Sequence, residues 1–166
     1  MKRNKKLVEK TVLNTFQEEI PSIYFSDKNK SEYNKFRDNA EYVYRELFNF
    51  PKEMFKDKKL LDFGGGTGEQ TVYLTNWGAH ITHVEMNNLA ISIAKKVFKK
   101  HGSNIDKHKF INSSIFDFKT TKKFDIVHSR GVFSHTYYKE RAFNKLASYL
   151  KPGGYLIFGD PNKIGG

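Results

Sequence analysis

The segment "LLDFGGGTGEQ" constrains the fold more than any other stretch of this chain. Four glycines, Gly64, Gly65, Gly66 and Gly68, fall within five residues, directly after an apolar run and directly before a helix-like pattern. Glycine loses more backbone entropy on folding than any other residue, so it is costly inside regular structure. At a strand-to-helix junction it has uses: it adopts positive φ, and it leaves a backbone that a ligand can approach without meeting a Cβ. In parallel α/β sheets ligands bind beyond the carboxyl ends of the strands, near the point where strand order reverses. Free N–H groups at the start of the next helix favour negatively charged groups there. The loop after this first strand is therefore the first candidate site.

The flanking pattern supports such a sheet. "KLLDF" reads as a strand, and Gly68 to Trp77 reads as a helix closed by Gly78. "HITHVE" is a second strand. Asn88 to Lys100 is amphipathic, with Leu89, Ile93 and Val97 on one side, four lysines on the other, and Gly102 at its end. "HKFINS" and "FDIVHS" are the third and fourth strands. "KERAFNKLASYL" is a helix with Ala142, Phe143, Leu146, Ala147 and Leu150 on one face, and "KPGG" turns the chain into a fifth strand, "YLIFGD". Strands alternating with helices give an α/β fold: a doubly wound, mainly parallel sheet of about five strands. Two helices precede it. Val8, Val12, Phe16 and Ile20 recur every four residues before Pro21, and Tyr33, Phe36, Ala40, Val43 and Leu47 share one face before Pro51. The expected organisation is a helical extension over 1–58, with the Tyr33/Phe36 helix as a lid, and a core over 59–166.

Composition narrows the class. The chain has 166 residues, enough for one domain with a core. It has no cysteine, which excludes disulfides, thiolate metal sites and cysteine nucleophiles and fits a reducing, cytoplasmic setting. No apolar run approaches the ~18 residues that span a membrane, and the basic N-terminus lacks the apolar core of a signal peptide. The net charge of +11 would suit a nucleic acid, but the lysines are dispersed, as on solvated helix faces.

The glycine spacing discriminates between ligands. A dinucleotide fingerprint is G-x-G-x-x-G; Gly64-x-Gly66 fits, but the third glycine position is Glu69, an acid that would repel a pyrophosphate. No Gly-Lys-Ser/Thr follows, so the loop is not a P-loop. Glu85, closing the second strand, is placed to accept from both hydroxyls of a ribose. Together, "LLDFGGGTGEQTVYLTNWGAHITHVEMN", "FDIVHSRGVFSHT" and "LASYLKPGGYLIFGD" resemble the motifs of class I S-adenosylmethionine-dependent methyltransferases, over about Lys59 to Asp160. The resemblance implies a Rossmann-like fold and assigns roles. Asp62, Gly64, Gly66 and Gly68, with Gly65 in the same loop, would line the methionine part of the cofactor. Glu85 would hold the ribose hydroxyls, and Met86 would pack on the adenine. Ser114 stands where relatives often carry the Asp that accepts from the adenine amino group, and the Ile115 N–H would serve a ring nitrogen. Ser129, Arg130 and Gly131 would flank the sulfonium.

Methyl transfer asks the protein mainly to orient two reactants and, for some acceptors, to remove a proton. His135, just past the fourth strand, is the candidate base, weighed against a packing role. Tyr137 and Tyr138 would line a pocket or cover the core. His80 and His83, three apart on one strand, point to opposite faces and do not pair as metal ligands; no metal is expected. No Asn/Asp-Pro-Pro-Tyr/Phe follows the fourth strand, so the amino-methylating DNA enzymes are not resembled. The expected function is methyl transfer from S-adenosylmethionine to a small molecule, leaving S-adenosylhomocysteine. The alternatives are an RNA methyltransferase and a non-catalytic binding or assembly domain, with a nicotinamide-dependent oxidoreductase far behind. The resembled fold has seven strands, and five are found. The chain therefore reads as a fragment, with the apolar strand-five edge either bare or covered by a second copy.

Overall fold

The computed structural model describes residues 5–18, 30–136 and 138–160. Its centre is one sheet of five parallel strands in the order β3-β2-β1-β4-β5. These are β1 (Lys59–Phe63), β2 (His80–Glu85), β3 (Lys109–Asn112), β4 (Phe124–Arg130) and β5 (Leu150–Gly159). Strand order reverses at β1, so the loop after it opens at the switch point. The helices are α1 (Lys5–Glu18), α2 (Lys30–Tyr42), α3 (Asn88–His101) and α4 (Lys139–Ala147). The fold is the expected Rossmann-like doubly wound sheet. Both faces are covered, because alternate residues of each strand feed two separate cores. Leu60, Ile81, Ile126 and Ile157 join Ala40, Tyr44, Phe55, Val97 and Phe98 on one face. Leu61, Val84 and Val127 join Ala142 and Leu146 on the other. Ala40, Tyr44 and Phe55 lie before residue 59, so the segment leading into β1 shares the sheet's own core.

Four local expectations need correction. The segment from Gly68 to Trp77 is not one helix. Gly68 sits at φ +77° and Thr71 at φ −124°, outside helical values, so regular turns begin only at Val72 and stay 3-10 to Trp77. The β-branched Val72 and Thr75 lower the propensity of this segment for an α-helix. Gly78 caps it at φ +92°, as expected. In α3 the buried face is Ala90, Ile93, Ala94, Val97 and Phe98, while Leu89 is exposed; the Asn87 side chain caps the helix by accepting from the N–H groups of Leu89 and Ala90. The "KPGG" turn lies inside β5 as a bulge, with Leu150 opposite Phe124 and Tyr155 opposite Ile126.

The fourth correction bears on the site. The single face expected from Tyr33 to Leu47 breaks at Tyr42, where α2 gives way to a π-helical turn, Val43–Leu47. A π turn inserts one extra residue into the helical ladder and rotates the residues beyond it. Leu47 is thereby 61 % exposed, and Tyr44 takes the fully buried position instead. The side chains of Tyr33, Phe36 and Phe16, and the residues Ile20, Pro21 and Tyr137, lie outside the described residues. Among the described residues β5 pairs only with β4, leaving Tyr155 and Phe158 at the sheet edge, 57 % and 51 % exposed.

Candidate functional site

Sheet register places three polar side chains in one row across the carboxyl end of the sheet. Asp62 of β1 is opposite His83 of β2 and His128 of β4. Residues opposite each other in parallel strands share a face, so all three project into the same core, and all are buried. Asp62 Oδ1 lies 2.9 Å from His128 Nδ1, and Oδ2 accepts from the Thr71 hydroxyl at 2.7 Å. His83 Nδ1 stands 3.3 Å from Asp62 Oδ2 without forming a hydrogen bond. Burial would push the Asp62 carboxyl up, but the hydrogen bond to His128 and the nearby His83 ring hold it well below the usual carboxylate range.

The row extends in both directions. On one side the Tyr44 hydroxyl lies 2.6 Å from His128 Nε2. Burial pushes this hydroxyl up to about 12, so it keeps its proton. On the other side His83 Nε2 lies 3.1 Å from the Gly66 carbonyl, to which it donates. The N–H of Gly66 in turn donates to Glu85 Oε2 at 3.0 Å, and the N–H of Asn87 donates to Glu85 Oε1 at 2.9 Å. Gly66 is held through both its N–H and its carbonyl by side chains of β2.

The four glycines have different reasons to be glycine. A Cβ on Gly65 would overlap Asp62 Oδ2 and the His83 ring, and one on Gly64 would overlap Val132. At Gly68 it would press on Phe98 and Ala94, so Gly68 lets the loop pack on α3. At Gly66, where φ is +54°, nothing lies within 4 Å of that position. The space there is cavity.

Two cavities meet at Gly64 and Gly66, which line both. The larger, about 220 Å³, runs from Glu85 and Met86 past Ser113, Ser114 and Ile115 to Gly131, Val132, His135 and Tyr138. Val8, Val12 and Leu13 of α1 line it as well. The smaller, about 190 Å³, is polar and is lined by Asp62, Thr67, Glu69, Gln70, His128 and Arg130. Glu69 Oε1 is buried without a hydrogen-bond partner, and burial pushes this carboxyl up to about 7.

The structure thus brings Asp62, Gly64, Gly65, Gly66, Glu85, Met86, Ser114, Ile115, Arg130 and His135 to the cavity walls. Gly68 and Ser129 stand off both; Ser129 is fully buried with its hydroxyl unpartnered. Ser114 closes on its own turn, donating to Asp117 Oδ2 at 2.9 Å and accepting from the Asp117 N–H. Sequence reasoning missed Tyr44, His83 and His128. The signal was present for the two histidines: in a sheet ordered 2-1-4, each falls level with Asp62. Among the described residues no group of three or more His, Cys, Asp and Glu could hold a metal ion, and no helix is long and apolar enough to cross a membrane.

A family model described as a methyltransferase domain matches residues 33–164. The chain belongs to this methyltransferase domain family. A ubiquinone biosynthesis O-methyltransferase of Coxiella burnetii is 31% identical over 108 residues, covering 65% of this chain and 45% of the relative. The domain therefore spans about half the length of the curated relatives it matches. Among solved structures, the magnesium protoporphyrin IX methyltransferase of Synechocystis with bound S-adenosylmethionine superposes with a TM-score of 0.67 at 17% identity, covering 89% of this chain and 74% of that one. The N-methyltransferase NodS of Bradyrhizobium japonicum, in complex with S-adenosylhomocysteine, gives 0.65 at 18% identity, covering 88% and 71%. At these identities the two structures share the fold.

Proposed function

We propose that this methyltransferase domain binds S-adenosylmethionine across the two joined cavities and directs its methyl group to a small-molecule acceptor. The observation that carries the reading is Gly66: a left-handed glycine, gripped by Glu85 and His83, whose open face is the wall between an apolar cavity and a polar one. A ligand with an aromatic base, a sugar and a charged amino-acid end matches that division. Glu85 and Met86 at the larger cavity suit a ribose and an adenine. In the smaller cavity Arg130 suits a carboxylate, and Glu69, whose Oε1 is buried without a partner, suits an ammonium. The bound cofactor supplies an activated methyl on a sulfonium. The chain's own part is to orient both reactants and to exclude water, with Val8, Val12 and Leu13 of α1 covering the apolar side. Residues 1–58 act in this reading as the helical cover and 59–166 as the binding core. Asp62, whose oxygens are held by His128 and Thr71, shapes the loop from beneath.

His135, on the wall of the larger cavity past β4, is the group that accepts a proton from the acceptor. The O-methyltransferase activity named for the Coxiella relative favours a hydroxyl acceptor. The test is methyl transfer from labelled S-adenosylmethionine to a panel of small phenols and amines. Transfer to hydroxyl compounds that is reduced in His135→Ala, with S-adenosylhomocysteine binding intact, supports the assignment. Transfer to amines alone, or full activity in His135→Ala, refutes it.

A further inference from the structure

We propose that Tyr44 is a positioning residue for the cofactor loop, and that it couples docking of the π-helical turn Val43–Leu47 to ligand binding at Gly66. The inference rests on the reading of that loop as the cofactor cradle. Its basis is an unbroken chain of contacts across three strands. The Tyr44 hydroxyl meets His128 Nε2 at 2.6 Å, His128 Nδ1 meets Asp62 Oδ1 at 2.9 Å, and Asp62 Oδ2 takes the Thr71 hydroxyl at 2.7 Å and stands against the His83 ring. His83 Nε2 then reaches the Gly66 carbonyl at 3.1 Å. Tyr44, Asp62, His83 and His128 are all buried, with Asp62 and His128 also forming part of the wall of the smaller cavity.

Proton inventory gives the chain a direction. The Asp62 carboxylate can only accept, so His128 must carry its hydrogen on Nδ1. A ring with its single hydrogen on Nδ1 offers a lone pair at Nε2, and the Tyr44 hydroxyl faces that atom at 2.6 Å. Without that hydroxyl, the buried Nε2 is left unsatisfied, and the other ring tautomer would turn a lone pair on Asp62. Either response loosens Asp62 and with it both anchors of the loop, Thr71 at its far end and His83 beneath Gly66. π turns are rare and frequently lie at functional sites; here the turn delivers Tyr44 to His128. The ring itself is packed edge-on among Phe48, Phe55, Tyr73 and Trp77, so removing the oxygen alone leaves the packing in place.

The experiment compares the wild-type chain with Tyr44→Phe, His128→Gln and the double variant, each shown to be folded by circular dichroism. S-adenosylhomocysteine binding is measured by calorimetry, and hydrogen exchange of amides 43–47 is followed with and without it. Tyr44→Phe should weaken binding about tenfold, and the double variant should be no weaker than His128→Gln alone. Ligand should protect amides 43–47 in the wild type and not in Tyr44→Phe. Nitrogen NMR of the wild type should find the His128 hydrogen on Nδ1, a readout that survives if a variant does not fold. Unchanged affinity in Tyr44→Phe, additive effects in the double variant, or an Nε2 hydrogen on His128 would overturn the proposal. A folded wild type that binds no S-adenosylhomocysteine would instead overturn the cofactor reading beneath it.

Discussion

Gly65→Ala and Gly66→Ala, one residue apart, separate the two duties of the glycine loop. At Gly65 a Cβ would overlap Asp62 Oδ2 and the His83 ring, both buried and both tied into the row across the sheet. Neither can retreat without breaking a contact to His128, Thr71 or Gly66. Disrupting a buried charged contact of this kind costs about 3–5 kcal/mol. For a chain of this length that lowers the melting temperature by roughly 10 °C. At Gly66 a Cβ meets nothing within 4 Å, so the only folding cost is the left-handed φ of +54°, about 1 kcal/mol or roughly 2–4 °C. That Cβ, however, enters the wall shared by the two cavities. Gly66→Ala should therefore fold well and lose at least about tenfold in S-adenosylhomocysteine affinity, a difference of ~1.4 kcal/mol. Melting curves with and without ligand read both effects in one assay: Gly65→Ala melts early, and Gly66→Ala melts near the wild type but gains little from ligand. The reasoning is refuted if Gly65→Ala melts at the wild-type temperature, or if Gly66→Ala is stabilised by ligand as fully as the wild type.

Two further predictions concern charge. The Glu69 carboxyl is raised from its ordinary 4.5 to about 7, so the folded state binds its proton more tightly than the unfolded chain does. Its cost to stability is absent below pH ~4, grows as pH rises and is complete above ~7; Glu69→Gln should raise the melting temperature at pH 8 and leave it unchanged at pH 4. An equal effect at both would contradict the assignment. Asp62 is the opposite case. Its carboxyl is depressed, so its contribution is present above its ordinary 3.8 and is lost as pH falls through the lower folded value. Asp62→Asn should cost about 3–5 kcal/mol at pH 7, and the gap to wild type in denaturant titrations should narrow below pH 4. A gap that does not change with pH would show that the carboxylate's charge is not what matters.

The legible part of this molecule was its periodic part. Five strands, the glycine loop and Glu85 at the end of β2 each follow from local pattern, because a parallel sheet needs short apolar runs punctuated at fixed places. What pattern does not carry is contact between strands. His83 and His128 look unremarkable within their own strands; their meaning comes from lying level with Asp62, which only the strand order supplies. Tyr44 was hidden for another reason. A helix-period reading of Ala40, Val43 and Leu47 assumes an unbroken ladder, and the π turn after Tyr42 shifts the face by one residue. Gly68 and Ser129 show the converse. Motif position put them beside the ligand, yet Gly68 packs on Phe98 and Ala94, and Ser129 sits away from both cavities.

Glu85 and Gly66 are the residues on which a cradle for an adenosyl amino acid would depend most. Calorimetric titration of S-adenosylhomocysteine into the wild-type chain and Glu85→Ala tests this most directly. Glu85 is half-buried on the cavity wall and holds the Gly66 N–H, so its loss removes both a direct contact and the loop's anchor. The prediction is single-site binding by the wild type and binding at least tenfold weaker, about 1.4 kcal/mol, in the folded variant. A folded wild type that gives no heat, or a Glu85→Ala chain that binds as tightly as the wild type, would contradict it.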